Sequence, residues 1–439
     1  MVGWQKTIMM SLAFVKNIFI KTVLFIVGLP NGDEHEEVTI AAFNQWCRLS
    51  RLFGSTMNGY KCYSSATPNT ISSFNRKNFL IRFCNIISII RLVILLLYEN
   101  ETVSIFGGDP VFRSKKRILE IFIIFIGLVI GFLAREIFLS LEAKLSEKMF
   151  FCFQCFLQSN GFNHLNLQMN PSRAIAFRYL VHFFSFFWTR FMCLCIPFLP
   201  ILLNTTIIIN PYFYQIPCYT ISSILWSIPL TLAFVFNVVG FASISGYCII
   251  SGLFYLNRLE SICSIAVDAT AKDNEIEEQF VISLILKFIS HSNNVERFLN
   301  VLAFLILYYI LAVSFIANLL IFAGCIARLY SDVIADMCSF LGGTIMAVLI
   351  IACYTEGSFI TKLDLFYRKL HLISESGLEM TTKMKILEAM DRIIGPYNGV
   401  KAGDLATISK HFFIIFLLEN ASFLMLITVN TRSMLESTK

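Results

Sequence analysis

Apolar and polar positions in this chain alternate in long blocks, not in the narrow stripes of a soluble amphipathic helix. Seven apolar blocks stand near residues 79–98, 118–140, 179–203, 218–252, 298–322, 337–355 and 406–429. A bilayer-spanning helix needs about 20 mostly apolar residues, and each block is about that long or longer. The clearest stretch is Phe191–Asn257, 67 residues without Asp, Glu, Lys, Arg or His. It is long enough for two crossings and their connection. The pattern predicts an all-α polytopic membrane protein with seven transmembrane helices. An eighth apolar stretch, Ile8–Leu29, is broken by Lys16 and Lys21 and has no small-residue cleavage site of a signal peptide. It reads as an interfacial amphipathic helix, with an additional span as the alternative. The chain thus divides into an N-terminal segment (1–78), a seven-helix membrane domain (79–429) and a short tail (430–439).

Composition agrees with the block pattern. Hydrophobic residues make up 56% and charged residues 15% of the chain, against about 25% charged in soluble proteins. The net charge of +6 comes with no basic run interleaved with aromatics, so no nucleic-acid partner is expected. Its distribution sets a direction. With the N-terminus inside, the inner segments hold 23 of the 35 Lys and Arg residues and the outer segments 7, as the positive-inside rule requires. The contrary loop is the first outer one, with Arg113, Lys115, Lys116 and Arg117. Two glycosylation sequons, at Asn100 and Asn204, fall on the outer side of this topology. A third, at Asn420, falls within the last span. A cytoplasmic N-terminus and an extracellular C-terminus follow, the reverse of a G-protein-coupled receptor.

The inner segments are the long ones. Leu253–Arg297 and Glu356–Leu405 carry helical apolar periodicity at Phe280–Phe288 and Met384–Ile394, the latter stopping at Gly395-Pro396. They are expected to extend the neighbouring spans into the cytoplasm and pack together. Recognisable enzyme chemistry is missing. The Cys152–Cys155 pair has CxxC spacing but no companion ligands, the six His residues form no metal motif, and no GxSxG, HExxH or P-loop occurs. No enzyme activity, metal or cofactor is expected. Internal repeats and Gly/Pro-broken spans, which mark many transporters, are not evident.

The layout and three local stretches carry a resemblance. Arg48-Leu-Ser-Arg-Leu-Phe-Gly54 lies before the first span, His291-Ser-Asn-Asn-Val-Glu-Arg-Phe-Leu-Asn300 leads into the fifth, and Lys401-Ala-Gly-Asp-Leu-Ala-Thr-Ile-Ser409 leads into the seventh. Together they resemble the invertebrate gustatory receptor superfamily, which includes insect gustatory and odorant receptors and nematode relatives. In place of the superfamily's Thr-Tyr, five apolar residues and Gln in span seven, this chain has Ser422-Phe423, Leu424–Thr428 and Val429. The hydroxyl and aromatic are kept in kind and the Gln is lost. The resemblance implies a chemosensory receptor of the plasma membrane, of sensory neurons, that forms a homo- or hetero-tetrameric ligand-gated cation channel. Its seventh spans would surround the pore, and its pocket in the outer membrane half would take a small-molecule ligand or another stimulus.

Ionisable residues inside spans are costly unless paired or facing water. Glu419, followed by Asn420, lies near the middle of span seven, and the pair are the pore candidates. Arg190, near the middle of span three, is a candidate charge partner for Glu419. Arg91, well inside span one, is a second intramembrane charge, able to snorkel to a headgroup. A ligand pocket would draw on His182, Trp188, Trp226, Tyr308 and Tyr309. A G-protein-coupled chemoreceptor remains an alternative although Asp-Arg-Tyr-like and Asn-Pro-x-x-Tyr motifs are missing. A light or oxidant sensor without retinal is another, since Phe412–Val429 contains no lysine for a Schiff base.

Overall fold

The computed structural model describes residues 35–60, 68–157, 161–271, 277–329, 332–395, 399–403 and 406–436. The stretch Ile8–Leu29 lies outside the described residues. The chain runs as α1 (His35–Leu52), α2 (Pro68–Leu97), α3 (Glu101–Phe106), α4 (Arg117–Met149), α5 (Phe151–Leu157), α6 (His164–Leu167), α7 (Pro171–Ile209), α8 (Tyr212–Gln215) and α9 (Pro217–Ala271). There follow α10 (Glu278–Ile321), which widens into a π turn at Phe322–Ile326, then α11 (Asp332–Ser374) and α12 (Met380–Ile394). A two-residue antiparallel hairpin, β1 (Lys401–Ala402) and β2 (Ala406–Thr407), leads into α13 (Lys410–Glu436).

Seven helices, α2, α4, α7, α9, α10, α11 and α13, are long and apolar enough to cross a membrane. Each of the seven apolar blocks falls largely on one of them, the last beginning in β2 just before α13. The helices outrun the blocks, however. At 1.5 Å per residue the 55 residues of α9 span about 80 Å, against a hydrocarbon layer of about 30 Å. The ends of α9, α10 and α11 therefore project together from one end of the bundle, with α12 packed on α10 and α11. Helix α7 continues through Pro197 and Pro200 to Ile209, six residues past the expected end of span three. The Asn204 sequon is consequently helical, with its side-chain amide donating to the Pro200 carbonyl at 2.7 Å. The last helix likewise runs on through 430–436, where a tail was expected.

Helix α9 is the hub, packing against α2, α4, α7, α10 and α11. Into the notch between α9 and α4 the chain after α1 inserts a turn, residues 53–60. Gly54 and Gly59 there adopt left-handed φ of 63° and 61°. The Gly54 carbonyl accepts from Arg135 Nε at 3.1 Å, and the Glu142 carboxylate accepts the backbone N–H groups of Met57 at 2.9 Å and Asn58 at 3.1 Å. Tyr60 completes the plug. Its ring stacks on Trp46 at 4.6 Å between centroids, and its hydroxyl donates to the Ser243 carbonyl at 2.8 Å. Burial raises the Tyr60 phenol well above its ordinary range, so it stays protonated and able to donate.

A Cβ at Gly54 would lie 2.9 Å from Ile81 Cδ1 and 3.2 Å from Arg135 Nη2, on a backbone that L residues rarely adopt. Gly54→Ala is expected to destabilise the protein by about 1–3 kcal/mol. Gly127→Ala, whose Cβ would meet only Phe234 at 3.9 Å, is expected to stay within about 0.5 kcal/mol of wild type. Thermal unfolding of both variants in the same detergent checks the difference. Equal midpoints would remove the plug from the stability argument.

Candidate functional site: the last span and the charges inside the bundle

Helix α13 is the least covered of the spans. Within its most apolar window 6% is buried, against 44% in α10. Its exposure follows a helical period. Ile414 and Ile415, Leu418 and Glu419, Ala421 and Ser422, Met425 and Leu426, and Val429 and Asn430 are exposed, while Phe416, Asn420, Phe423, Leu424 and Ile427 turn inward. The inward face packs on α10, α11 and the π turn. Phe423 lies 5.4 Å from the Phe315 ring, and Lys410 sits over the Tyr354 ring at 5.6 Å. Gly357 on α11 lets the chain enter α13 closely, because a Cβ there would lie 3.0 Å from the Lys410 amide nitrogen.

The structure separates the two pore candidates. Adjacent helical residues point about 100° apart, and only Glu419 falls on the uncovered face. It makes no ion pair or hydrogen bond among the described residues. Asn420 points inward instead. Its Oδ1 accepts from Asn318 Nδ2 of α10 at 2.7 Å, and its own amide donates to the Phe416 carbonyl at 2.7 Å. Asn318 is buried and sits one turn before the π turn.

Arg190 does not pair with Glu419 within one chain. It is exposed on α7, over the Phe186 ring at 5.0 Å. Helix α7 packs on α1 and α9, whereas α13 packs on α10 and α11. Arg91 does not snorkel either. It is 4% exposed and donates to the carbonyls of Gly107, at 2.6 Å, and of Gly108, with Trp226 O at 3.4 Å. It thereby straps the first short loop onto α9. The contrary positive charge of that loop is consumed in the same way. Arg117 pairs with buried Asp109 and donates to the Leu95 carbonyl at 2.8 Å, Lys116 donates to Ala327 O at 2.5 Å, and Arg113 pairs with Glu101 over the Tyr212 ring. These residues serve the loop's architecture, which overrides the charge rule locally.

The five pocket candidates face different neighbours. Trp226 donates its indole N–H to Phe106 O at 3.1 Å with the Arg91 guanidinium 5.4 Å away. Tyr308 donates to Ile130 O of α4 at 2.8 Å, and Tyr309 to Phe241 O of α9 at 2.5 Å while stacking on the Phe241 ring at 4.5 Å. Trp188 fills the space left by Gly246, beside Trp46. His182 is buried 6.2 Å from the Phe186 ring. The Asn100 sequon is exposed at the N-cap of α3, where its Oδ1 accepts from Thr102 N at 2.9 Å.

Sequence reasoning missed the charges that the bundle uses most. Arg135 is 0% and Glu142 1% exposed. Arg135 bonds Gly54 O, Glu136 at 2.7 Å and Asn78 Oδ1 at 2.5 Å, and Glu136 also holds Arg82. Glu356 of α11 lies against Gly252 of α9, where any side chain would collide with the carboxylate. The signal was present, because Arg135 interrupts an apolar block as Arg190 does. What was invisible was the partner, a turn some 80 residues earlier. Among the described residues no cluster of His, Cys, Asp and Glu fit to hold a metal occurs.

Fold and site together define a seven-span helical membrane protein with projecting helical ends and an incompletely covered last span. Two solved structures share the fold. The insect olfactory receptor OR5 from Machilis hrabei, in complex with eugenol, superposes with a TM-score of 0.57 at 11% sequence identity, covering 89% of this chain and 97% of that one. A second structure of the same receptor gives 0.59 at 11%, covering 88% and 96%. At that identity the likeness establishes the fold, which is that of an insect olfactory receptor. No family model matches the chain, and no curated protein matches it significantly.

The Asn318–Asn420 bond is the polar side-chain link from α13 to α10. Asn318→Ala, Asn420→Ala and the double variant form a thermodynamic cycle with an expected coupling of about 0.6 kcal/mol, and no more than about 1.7 kcal/mol. Additive shifts in thermal stability would show that the two amides do not interact.

Proposed function

We propose that this protein is a chemosensory receptor of the gustatory and odorant type, itself a ligand-gated cation channel. Four copies, identical or mixed, would place α13 around a central pathway. The observation that carries the reading is Glu419, a lone carboxylate on the uncovered face of the last span. A charge at the centre of a lipid-facing helix costs about 2.5–3.5 kcal/mol on insertion scales. On the axis of an oligomer it faces water, and a ring of carboxylates attracts cations and rejects anions. The shared fold with an olfactory receptor solved with eugenol supports a small, largely apolar ligand taken within the spans. The charge distribution and the exposed Asn100 sequon support an N-terminus in the cytoplasm, and residence in the plasma membrane of sensory neurons goes with the proposed receptor role.

Glu419→Gln is expected to keep the fold, since among the described residues the side chain has no partner to lose. It is expected to lower cation conductance about twofold or more and to move the reversal potential under a salt gradient toward zero. Bilayer recordings of the purified protein measure both. Unchanged selectivity and conductance would sink the ring of carboxylates. Orientation has its own test. Epitopes on the two termini of intact cells should show a hidden N-terminus and an accessible C-terminus, and the reverse would favour a G-protein-coupled receptor.

A further inference from the structure

One corner of the bundle gathers exposed cations that the chain does not neutralise. Arg48 and Arg51 lie on the exposed face of α1 near its end, and Arg76 and Lys77 lie on the exposed face of α2 near its start. None of these four side chains makes an ion pair or hydrogen bond among the described residues. Arg135 brings the two pairs to one place. Its guanidinium donates to the carbonyl of Gly54, which follows Arg51 by one turn, at 3.1 Å. It also donates to the side-chain oxygen of Asn78, the residue after Lys77, at 2.5 Å. Gly54 in turn lies against Ile81, so the end of α1 stands level with the first turns of α2.

The acids on these elements are committed or distant. Glu136 is held by Arg82 and Arg135, and Glu142 accepts from the Met57 and Asn58 amides. Glu36 and Glu37 occupy the first turn of α1, about 20 Å along the helix from Arg51. The four cations also stand where lipid begins. Just beyond Lys77, Phe79, Leu80 and Phe83 are 73%, 53% and 54% exposed, the first residues of the bare apolar face of α2. Exposed apolar side chains directly beyond a basic pair place that pair at headgroup level. Four crossings separate the start of α2 from the end of α9, so the corner shares a side with the projecting helices. A cluster of four or more Lys and Arg beside a span attracts anionic lipid, and guanidinium forks match phosphate oxygens in geometry as well as charge.

We propose that the α1–α2 corner docks anionic phospholipid headgroups, which neutralise Arg48 and Arg51 together with Arg76 and Lys77. Like charges held together by the fold repel one another. A negative headgroup relieves that repulsion at the mouth of the turn that Arg135 anchors, so the stability of the plug depends on membrane charge. In the orientation proposed above the lipid belongs to the cytoplasmic leaflet, which carries a negative surface potential. The inference needs the seven-span fold and neither the channel nor the orientation, because a nanodisc offers its lipid on both faces.

The test follows thermal unfolding of the full chain in nanodiscs of phosphatidylcholine, with or without about 20% phosphatidylserine. Phosphatidylserine should raise the wild-type midpoint by about 2 °C or more, and about 1 M salt should remove the rise. Replacing all four cations by Gln should abolish the rise. In phosphatidylcholine alone that variant should melt no lower than wild type, since the four side chains have no partner in the chain to lose. The pairs Arg48→Gln with Arg51→Gln, and Arg76→Gln with Lys77→Gln, should each lose about half of the rise, as two of the four charges go. Lys287→Gln with Arg368→Gln removes two exposed cations from the projecting helices and should keep all of it. A wild type indifferent to phosphatidylserine would overturn the proposal. So would docking-corner pairs that respond like the wild type, or a control pair that loses as much as they do. An equal rise from inorganic phosphate in phosphatidylcholine would assign the corner to a soluble anion and overturn lipid docking. The paired variants carry the comparison even if the fourfold variant fails to fold.

Discussion

The bundle rests on the turn at residues 53–60 being held inside it by Arg135, Glu142 and Tyr60. A charge in the apolar interior survives when its hydrogen bonds are met within the protein. Glu142 meets its own with backbone N–H groups of a chain segment that belongs to none of the seven spans, and Arg135 with the Gly54 carbonyl of that segment together with Glu136 and Asn78. The arrangement works in both directions. The turn satisfies two charges of α4, and those charges fix a left-handed backbone that would otherwise have no reason to enter the bundle. Through the Trp46–Tyr60 stack and the bond from Tyr60 to Ser243, the same contact ties α1 to the hub helix α9. Spans that differ little in composition thus acquire a unique packing, since apolar surface alone does not distinguish one lipid-facing helix from another.

The short-loop end repeats the logic with other residues. Arg91 and Arg117 bind carbonyls at Gly107, Gly108 and Leu95, and buried Asp109 neutralises Arg117. Three of the four basic residues of the first short loop, Arg113, Lys116 and Arg117, are thereby given structural partners. They are structural ligands of their own loop and of the π turn, which Lys116 caps at Ala327.

What the sequence made legible was whatever depends on composition over about 20 residues. The seven spans and the helical projections were visible because block length and block hydropathy survive any detail of packing. The limits were set by relations between distant residues. Nothing local shows that Arg135 meets Gly54, although the Arg48–Gly54 stretch was already conspicuous. The separation of Glu419 from Asn420 was hidden for a different reason. Span seven is apolar on all sides, so its sequence does not mark which face packs and which is left bare. Arg190 was paired with Glu419 because both interrupt apolar blocks, yet their helices pack against different neighbours.

The last span is attached along one line and open along the other. Its packed line contains one buried amide pair, an aromatic contact at Phe315, and the π turn that ends α10. A π turn carries an extra residue and a distorted bond ladder, and such turns concentrate at functional sites. Placing it one turn beyond Asn318 puts the least regular segment of α10 directly against Leu424 and Ile427 of α13. The contact area of the last span is small, so a shift of α10 need overcome little packing to move α13. The open line carries Glu419 as its charged residue between Ile414 and Asn430, with Ser422 and Asn430 also polar. The same helix is thus weakly held on the side facing its own bundle and unfinished on the side facing away. That asymmetry is what the proposed assembly needs: copies of the helix would complete its open line, and Asn420 would be the point through which a shift of α10 reached the carboxylate.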